Sequence, residues 1–431
     1  MMKGGGTMKS RLLIFLIVGL LSTLLGAKEI TFWFAGGDPN LDLPVVRRQV
    51  EEFEKETGIQ VKLVVVPWAE DPHTKLQVAI MSGKAPDLVK LGSPFEHVLA
   101  RFGVLEPLDN LISKELKEQL LHTLLDASQY KSLTPRDMTG KLISIPYFTD
   151  TRAILYRKDI FEERGVPEPI GWTWNDFVSY AKELTFDRNG DGKIDVYGFG
   201  TAANYTYQSI IFAWQAGGQL IGSDDRPGFT TEQFYEGIRF YADLFSVHKV
   251  VQPGAINVNL WDVRRQLAEG QLAMYIDAGD SAKELQKILG DNLGVGLLPM
   301  NENTGRFTSY FGSDAFVVPK QSRNKVEAVK LLEWMMNKDR VSEYCTAAGF
   351  LPSRIDSAAM PHFSENPIVS MYLRQMEDAN PWIAHPEASF IARTLRVEIQ
   401  NAISENNDIA VALERAQALV EKQLKDKGYL K

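Results

Sequence analysis

Apolar residues fall into short runs closed by turn residues, and these alternate with stretches in which they recur every three or four positions. Ile30 to Phe34 is the first run, ending at Gly36-Gly37-Asp38-Pro39-Asn40. Pro44 to Thr57 then places Val46, Val50 and Phe53 on one face, pairs Glu51 with Lys55 and stops at Gly58, which predicts a helix. Val61 to Val66 reads as a strand closed by Pro67-Trp68, Thr74 to Ser82 as a helix, and Asp87 to Leu91 as a third strand breaking at Gly92-Ser93-Pro94 before a helix Phe95 to Phe102. Strands alternating with helices predict a parallel sheet covered on both faces. Ligands gather at the carboxyl ends of such strands, which singles out the loops 36–40, 68–73 and 92–94.

The stretch 140–161 departs from this rhythm. Leu142 to Ile145 is one apolar run and Ala153 to Tyr156 another, separated by Pro146 and a polar interval with no helix between. Such a pair suits a chain leaving one sheet for another, with Asp150 at the pivot. Beyond it come a helix starting at Thr173, helices near Thr230 to Leu244 and Leu260 to Glu269, and strands Leu272 to Ile276 and Gly294 to Leu298. Phe311-Gly-Ser-Asp-Ala, containing Ser313 and Asp314, repeats the Gly/Ser/Asp break and is taken as a second crossing, and Gly349 to Ser353 as a third. Helices Lys325 to Asn337 and onward to Ala348 lie between them, and the tail from Ala392 to Lys427 is mostly amphipathic helix.

A chain of 431 residues exceeds what one core usually serves, so two domains are expected. The net charge of −8, with no Lys/Arg cluster, argues against nucleic acid as a partner. Lys9 and Arg11 precede an apolar run from Leu12 to Leu25 and then Gly26-Ala27, the pattern of a secretory leader over 1–27. Leu25 at the −3 position departs from the small-residue rule, so retention as an anchor stays open beside cleavage near Ala27. Losing Lys3, Lys9 and Arg11 with the leader takes the charge from −8 to −11. The single cysteine, Cys345, excludes an intrachain disulfide and, lying far from the leader, a lipid-modified N-terminal cysteine. A soluble, monomeric periplasmic or extracellular protein is expected.

Asp187, Asn189, Asp191, Lys193 and Asp195 match the first nine positions of a calcium loop, but Gly198 stands where the bidentate acid belongs. A structural calcium and a metal-free Asx/Gly turn both remain open, and no other cofactor is indicated. No HExxH, P-loop or Gly-x-Ser-x-Gly occurs, and no nucleophile and base are placed together. Trp33, Trp68, Tyr147, Tyr205, Tyr207 and Trp382 lie near predicted loop ends beside Asp and Asn. Aromatic faces cover the C–H face of a pyranose while carboxylates and amides take its hydroxyls.

Several motifs together carry a family likeness: Gly83-Lys-Ala-Pro-Asp-Leu-Val, Gly103-Val-Leu-Glu-Pro-Leu-Asp109, Gly140-Lys-Leu-Ile-Ser-Ile-Pro-Tyr, Leu155-Tyr-Arg-Lys-Asp-Ile-Phe161, Trp174-Asn-Asp-Phe, Glu269-Gly-Gln-Leu-Ala-Met274 and Ala348-Gly-Phe-Leu-Pro-Ser-Arg354. In this order the chain resembles the extracellular solute-binding proteins of ABC sugar importers, the maltodextrin-binding proteins among them. The resemblance implies a two-lobed α/β periplasmic-binding-protein fold (type II), each lobe a mostly parallel sheet flanked by helices, with three hinge crossings. Residues 28–149 plus 315–348 would form the N-terminal lobe and 150–314 plus 349–431 the C-terminal lobe. It also implies a sugar or oligosaccharide ligand, delivery to a membrane permease, no catalysis, and ligand contacts from Asp38, Asn40, Trp68, Ser93 and Asp150. Tyr147, Tyr205, Ser313, Asp314, Arg354 and Trp382 join them as candidates. Asp277 and Asp280 stand where relatives often have Gly-x-Trp, which favours a smaller or more polar ligand than a long maltodextrin. The competing readings are a secreted carbohydrate-active enzyme and a binding protein for a polyol or glycerophosphate, the last suggested by Arg152 and Arg354.

Overall fold

The computed structural model describes residues 28–93, 95–130, 137–222, 224, 226–383 and 385–430; the expected leader lies outside them. The alternation of the first segment produces what it predicts. Strands β1 (Glu29–Ala35), β2 (Gln60–Val66) and β3 (Leu88–Gly92) are parallel, with β1 between the other two. The helix Leu43–Thr57 buries Leu43, Val46, Val50 and Phe53 on one face and ends where Gly58 turns left-handed at φ 72°.

The crossing segment differs from its expected form. The polar interval is itself a strand, β4 (Ile145–Thr151), which takes in Pro146 through a register shift between Pro146 and Phe148. Only Arg152 separates it from β5 (Ala153–Arg157), which lies in another sheet. The smaller sheet continues with β6 (Tyr197–Gly200), β7 (Leu272–Asp277) and β8 (Leu293–Gly296), in the order β6-β7-β5-β8. The chain returns through β9 (Ser309–Val317), which inserts antiparallel between β3 and β4. With β10 (Leu351–Pro352) on β4 and β11 (Ala379–Pro381) on β9, the larger sheet has seven strands.

Both sheets are therefore mixed, and the expectation of mostly parallel sheets holds for β1 to β3 and for the β6–β7 pair alone among the principal strands. Strands that arrive from the other lobe are not fed by a strand–helix–strand crossover, so nothing obliges them to run parallel. At residues 349–353, the expected third crossing, the chain touches both halves, with the Leu351 side chain in the core with Leu155 and Tyr275. Leu351 and Pro352 pair with β4, and Phe363 packs in the core of the larger sheet. The helix Pro367–Gln375 adds Tyr372 to the core shared with β5 and β7. The tail forms two helices, Ala388–Glu405 and Ile409–Asp426, which close a separate core over Ile210, Trp214 and Phe234.

Candidate functional site

A cleft of about 1310 Å³ lies between the two sheets, and its walls are the strand ends and loops that the topology brings to one place. From the larger sheet come the loop after β1, the turn after β2, the end of β3, and the middle of β4 and β9; from the other side come 204–207, the helix Leu260–Ala268, the end of β7, and Trp382, His385 and Ser389. Asp150 sits where they meet and accepts from Arg152 Nη1 at 2.6 Å. The Arg152 guanidinium lies 4.9 and 4.7 Å from the ring centres of Tyr207 and Tyr310. Burial pushes the Asp150 carboxyl above the usual range against the pull of Arg152. Burial works against the Arg152 charge as well, but Asp150 and the surrounding groups outweigh it and hold the pKa up.

On the opposite wall Asp277 ends β7. Its carboxylate accepts from the Ala278 N–H at 2.9 Å and from the Ser281 hydroxyl, and Arg264 is ion-paired with Asp277, Asp280 and Glu284. Burial, with Asp280 second, raises the Asp277 pKa. On the larger-sheet wall Lys90 pairs with Asp314. Trp68 and Trp261 stand 48% and 55% exposed on opposite walls, as tryptophans available for stacking do and core tryptophans do not.

Of the predicted contacts, Asp38, Trp68, Ser93, Asp150, Tyr205, Asp277, Asp280, Ser313, Asp314 and Trp382 all line this cleft. Three do not. Asn40 is exposed outside it, its N–H donating to Asp38 Oδ1 in a local turn. Tyr147 is fully buried, stacked on Tyr344 at 4.4 Å, because the β4 pleat turns alternate side chains to the core. Arg354 is buried beside the helix Lys338–Ala348, bonded to the Met336 carbonyl and to Asp356, and so holds no anion in the cleft. The 187–195 loop spends its oxygens on itself: Asp187 accepts from the Gly190 and Gly192 N–H groups, Asn189 from Asp191, Asp191 from Lys193, and Asp195 from Arg188 and Asn189. Among the described residues no group of three or more His, Cys, Asp or Glu is placed to hold a metal ion.

Lys90, Trp261, Arg264 and Tyr310 were not anticipated. Trp261 and Arg264 sit within a predicted helix and carry no local signal. Lys90 did carry one, as a lysine inside an otherwise apolar strand, Leu88-Val-Lys-Leu91.

The family model of the bacterial extracellular solute-binding proteins matches residues 43–340. The chain belongs to that family. Among relatives of this solute-binding protein, a Brucella abortus chain named only as a binding protein is 26% identical over 341 residues, 78% of this chain and 79% of its own length. The galactooligosaccharide-binding protein of Bacillus subtilis is 23% identical over 389 residues, 89% and 87% of the two chains. A crystal structure of an ABC transporter solute-binding protein from Thermotoga lettingae, bound with α-D-tagatose, superposes with a TM-score of 0.77 at 24% identity, covering 92% of this chain and 99% of that one, and so shares its two-lobed fold. Among the described residues no helix of this family member is long and apolar enough to cross a membrane.

Proposed function

We propose that this solute-binding protein captures a neutral sugar or oligosaccharide outside the cytoplasmic membrane and presents it to the permease of an ABC importer. The observation that carries this reading is the composition of the cleft: exposed tryptophans on both walls, set among carboxylates that are mostly paired with Lys90, Arg152 and Arg264. Such pairs offer polarised donors and acceptors to hydroxyls without a strong field for an anion. A ligand touching both walls makes its full set of contacts only when the lobes are together, so binding shifts the chain towards the closed form. That closed form is what the permease would recognise, and the leader over 1–27 would carry the protein to it. The names of the Bacillus and Thermotoga proteins point the same way.

A thermal-shift screen against neutral mono- and oligosaccharides tests this, because ligand at 100 times its Kd adds ~2.7 kcal/mol to stability. Asp150→Ala and Trp68→Ala should each lower affinity for the sugar found, which should remain chemically unchanged after prolonged incubation. Cleavage of its glycosidic bonds would count instead for an enzyme.

A further inference from the structure

Lys90 breaks the pattern that built its strand. Successive β3 side chains alternate between faces, and Leu88 points into the core containing Phe32 and Phe34. The next position on that face is Lys90, only 2% exposed, although lysine is almost never fully buried unless paired. Its ammonium lies 4.5, 5.6 and 5.2 Å from the ring centres of Phe34, Trp68 and Phe148. It donates to the Ala35 carbonyl at 2.8 Å and is ion-paired with Asp314 Oδ2. An ammonium has three N–H bonds. Among the described residues the third has no acceptor, and Asp314 Oδ1 has no donor. Gly92 lets the Trp68 ring close on this pair. A Cβ there would stand 3.0 Å from the Trp68 ring, 3.6 Å from Asp314 Oδ1 and 3.6 Å from His73 Nε2, a buried nitrogen without a partner.

We propose that the corner of the cleft where Trp68, Lys90 and Asp314 meet is the subsite that fixes one ring of the ligand, with Lys90 and Asp314 as its specificity-determining pair. The proposal rests on the sugar-binding reading and adds what the site reads. The apolar face of the ring lies on Trp68, and one hydroxyl accepts from Lys90 Nζ while donating to Asp314 Oδ1. A hydroxyl serves both atoms; a carboxylate or phosphate serves Lys90 and leaves Asp314 facing a like charge. The subsite therefore selects neutral sugars over uronic acids and sugar phosphates.

The test uses the full secreted chain with D-glucose, D-galactose, D-tagatose, maltotriose and D-galacturonate, by thermal shift and then calorimetry on the best ligand and its monodeoxy series. Gly92→Ala pushes the Trp68 ring off the pair, and its backbone conformation is one alanine adopts freely. Lys90→Met combined with Asp314→Asn removes both charges together, so neither is stranded. Each variant should weaken the best neutral sugar roughly 10- to 100-fold. The double variant should also no longer distinguish the parent sugar from the analogue lacking the fixed hydroxyl, a readout that a merely structural pair would not move. Wild-type affinity in both variants, alongside a loss in Asp150→Ala, overturns the subsite and leaves sugar binding standing. Tighter binding of galacturonate than of galactose overturns it too, and a wild-type protein that no sugar stabilises overturns the subsite and the sugar reading together.

Discussion

Gly312 sits across from Asp150 in the β4–β9 ladder, and the Asp150 carboxylate rests directly on it. A Cβ at residue 312 would stand 2.0 Å from Asp150 Oδ1 and 3.0 Å from its Cγ, where ordinary contact begins at 3.4 Å. Gly312 is not left-handed, so Gly312→Ala introduces no backbone strain and acts only by displacing the carboxylate more than an ångström. Asp150 cannot retreat that far and keep its 2.6 Å bond to Arg152 Nη1. Breaking a buried pair costs ~3–5 kcal/mol, and crowding a packed site ~1–3 kcal/mol. Both side chains of this pair are 13% exposed, and the displaced carboxylate swings towards the open cleft, so the combined loss should fall near ~2–3 kcal/mol. Urea unfolding followed by tryptophan fluorescence measures it, and calorimetry with the bound sugar should show affinity falling at least tenfold. The decisive comparison is Gly312→Ala combined with Asp150→Ala. With the carboxylate gone the added methyl has nothing to displace, so the double variant should be no worse than Asp150→Ala alone. Strictly additive losses, or a Gly312→Ala protein that unfolds and binds as the wild type does, would refute the steric argument.

Three further outcomes are expected. Tyr147→Phe should leave sugar affinity unchanged and stability level or slightly improved, since the buried Tyr147 hydroxyl has no partner and Tyr147 does not face the cleft; calorimetry and urea midpoints read both. Acidification from neutrality should weaken sugar binding, because Asp150 and Asp277, both raised by burial, lose an acceptor each as they protonate. Their linkage to folding has the opposite sign: a carboxyl with a raised folded pKa takes up its proton more readily in the folded state, so these two groups add stability as pH falls through that value, whereas His73, which burial holds below 6.5, withdraws stability as pH falls from 6.5 through its own. Asp277→Asn should flatten the pH dependence of Kd, and an unaltered profile would count against the assignment. Finally, Arg101 on the larger-sheet lobe lies 5.0 Å over the Tyr429 ring at the end of the C-terminal tail, a contact that spans the lobes. Tyr429→Ala should speed ligand release roughly two- to fivefold, the worth of an exposed cation–π contact, as measured by stopped-flow fluorescence.

How much of this was legible in one dimension depended on where the controlling interaction lay. The parallel β1–β3 unit, the helix Leu43–Thr57 and its Gly58 stop follow from periodicity and local turn chemistry, which act between near neighbours. Asp150 was found because a helix-free break between apolar runs is itself a local signal. Trp68 was found because loops at strand ends must line whatever cleft the sheets make, Asp314 because it repeats the Gly/Ser/Asp break of the first crossing, and Asp277 through the family resemblance. The sequence by itself determined these elements and their order, as well as the acidic, cysteine-poor character of the chain. The tertiary structure decided the rest. It extended a strand through Pro146 because β9 was there to pair with it, and it turned Tyr147 inward while Asp150 faced the cleft. It also brought Lys90 to Asp314 across 224 positions of chain, counted from 90 to 314. Whether a buried lysine is a defect or a reading head depends on the carboxylate beside it, and no local pattern carries that pairing.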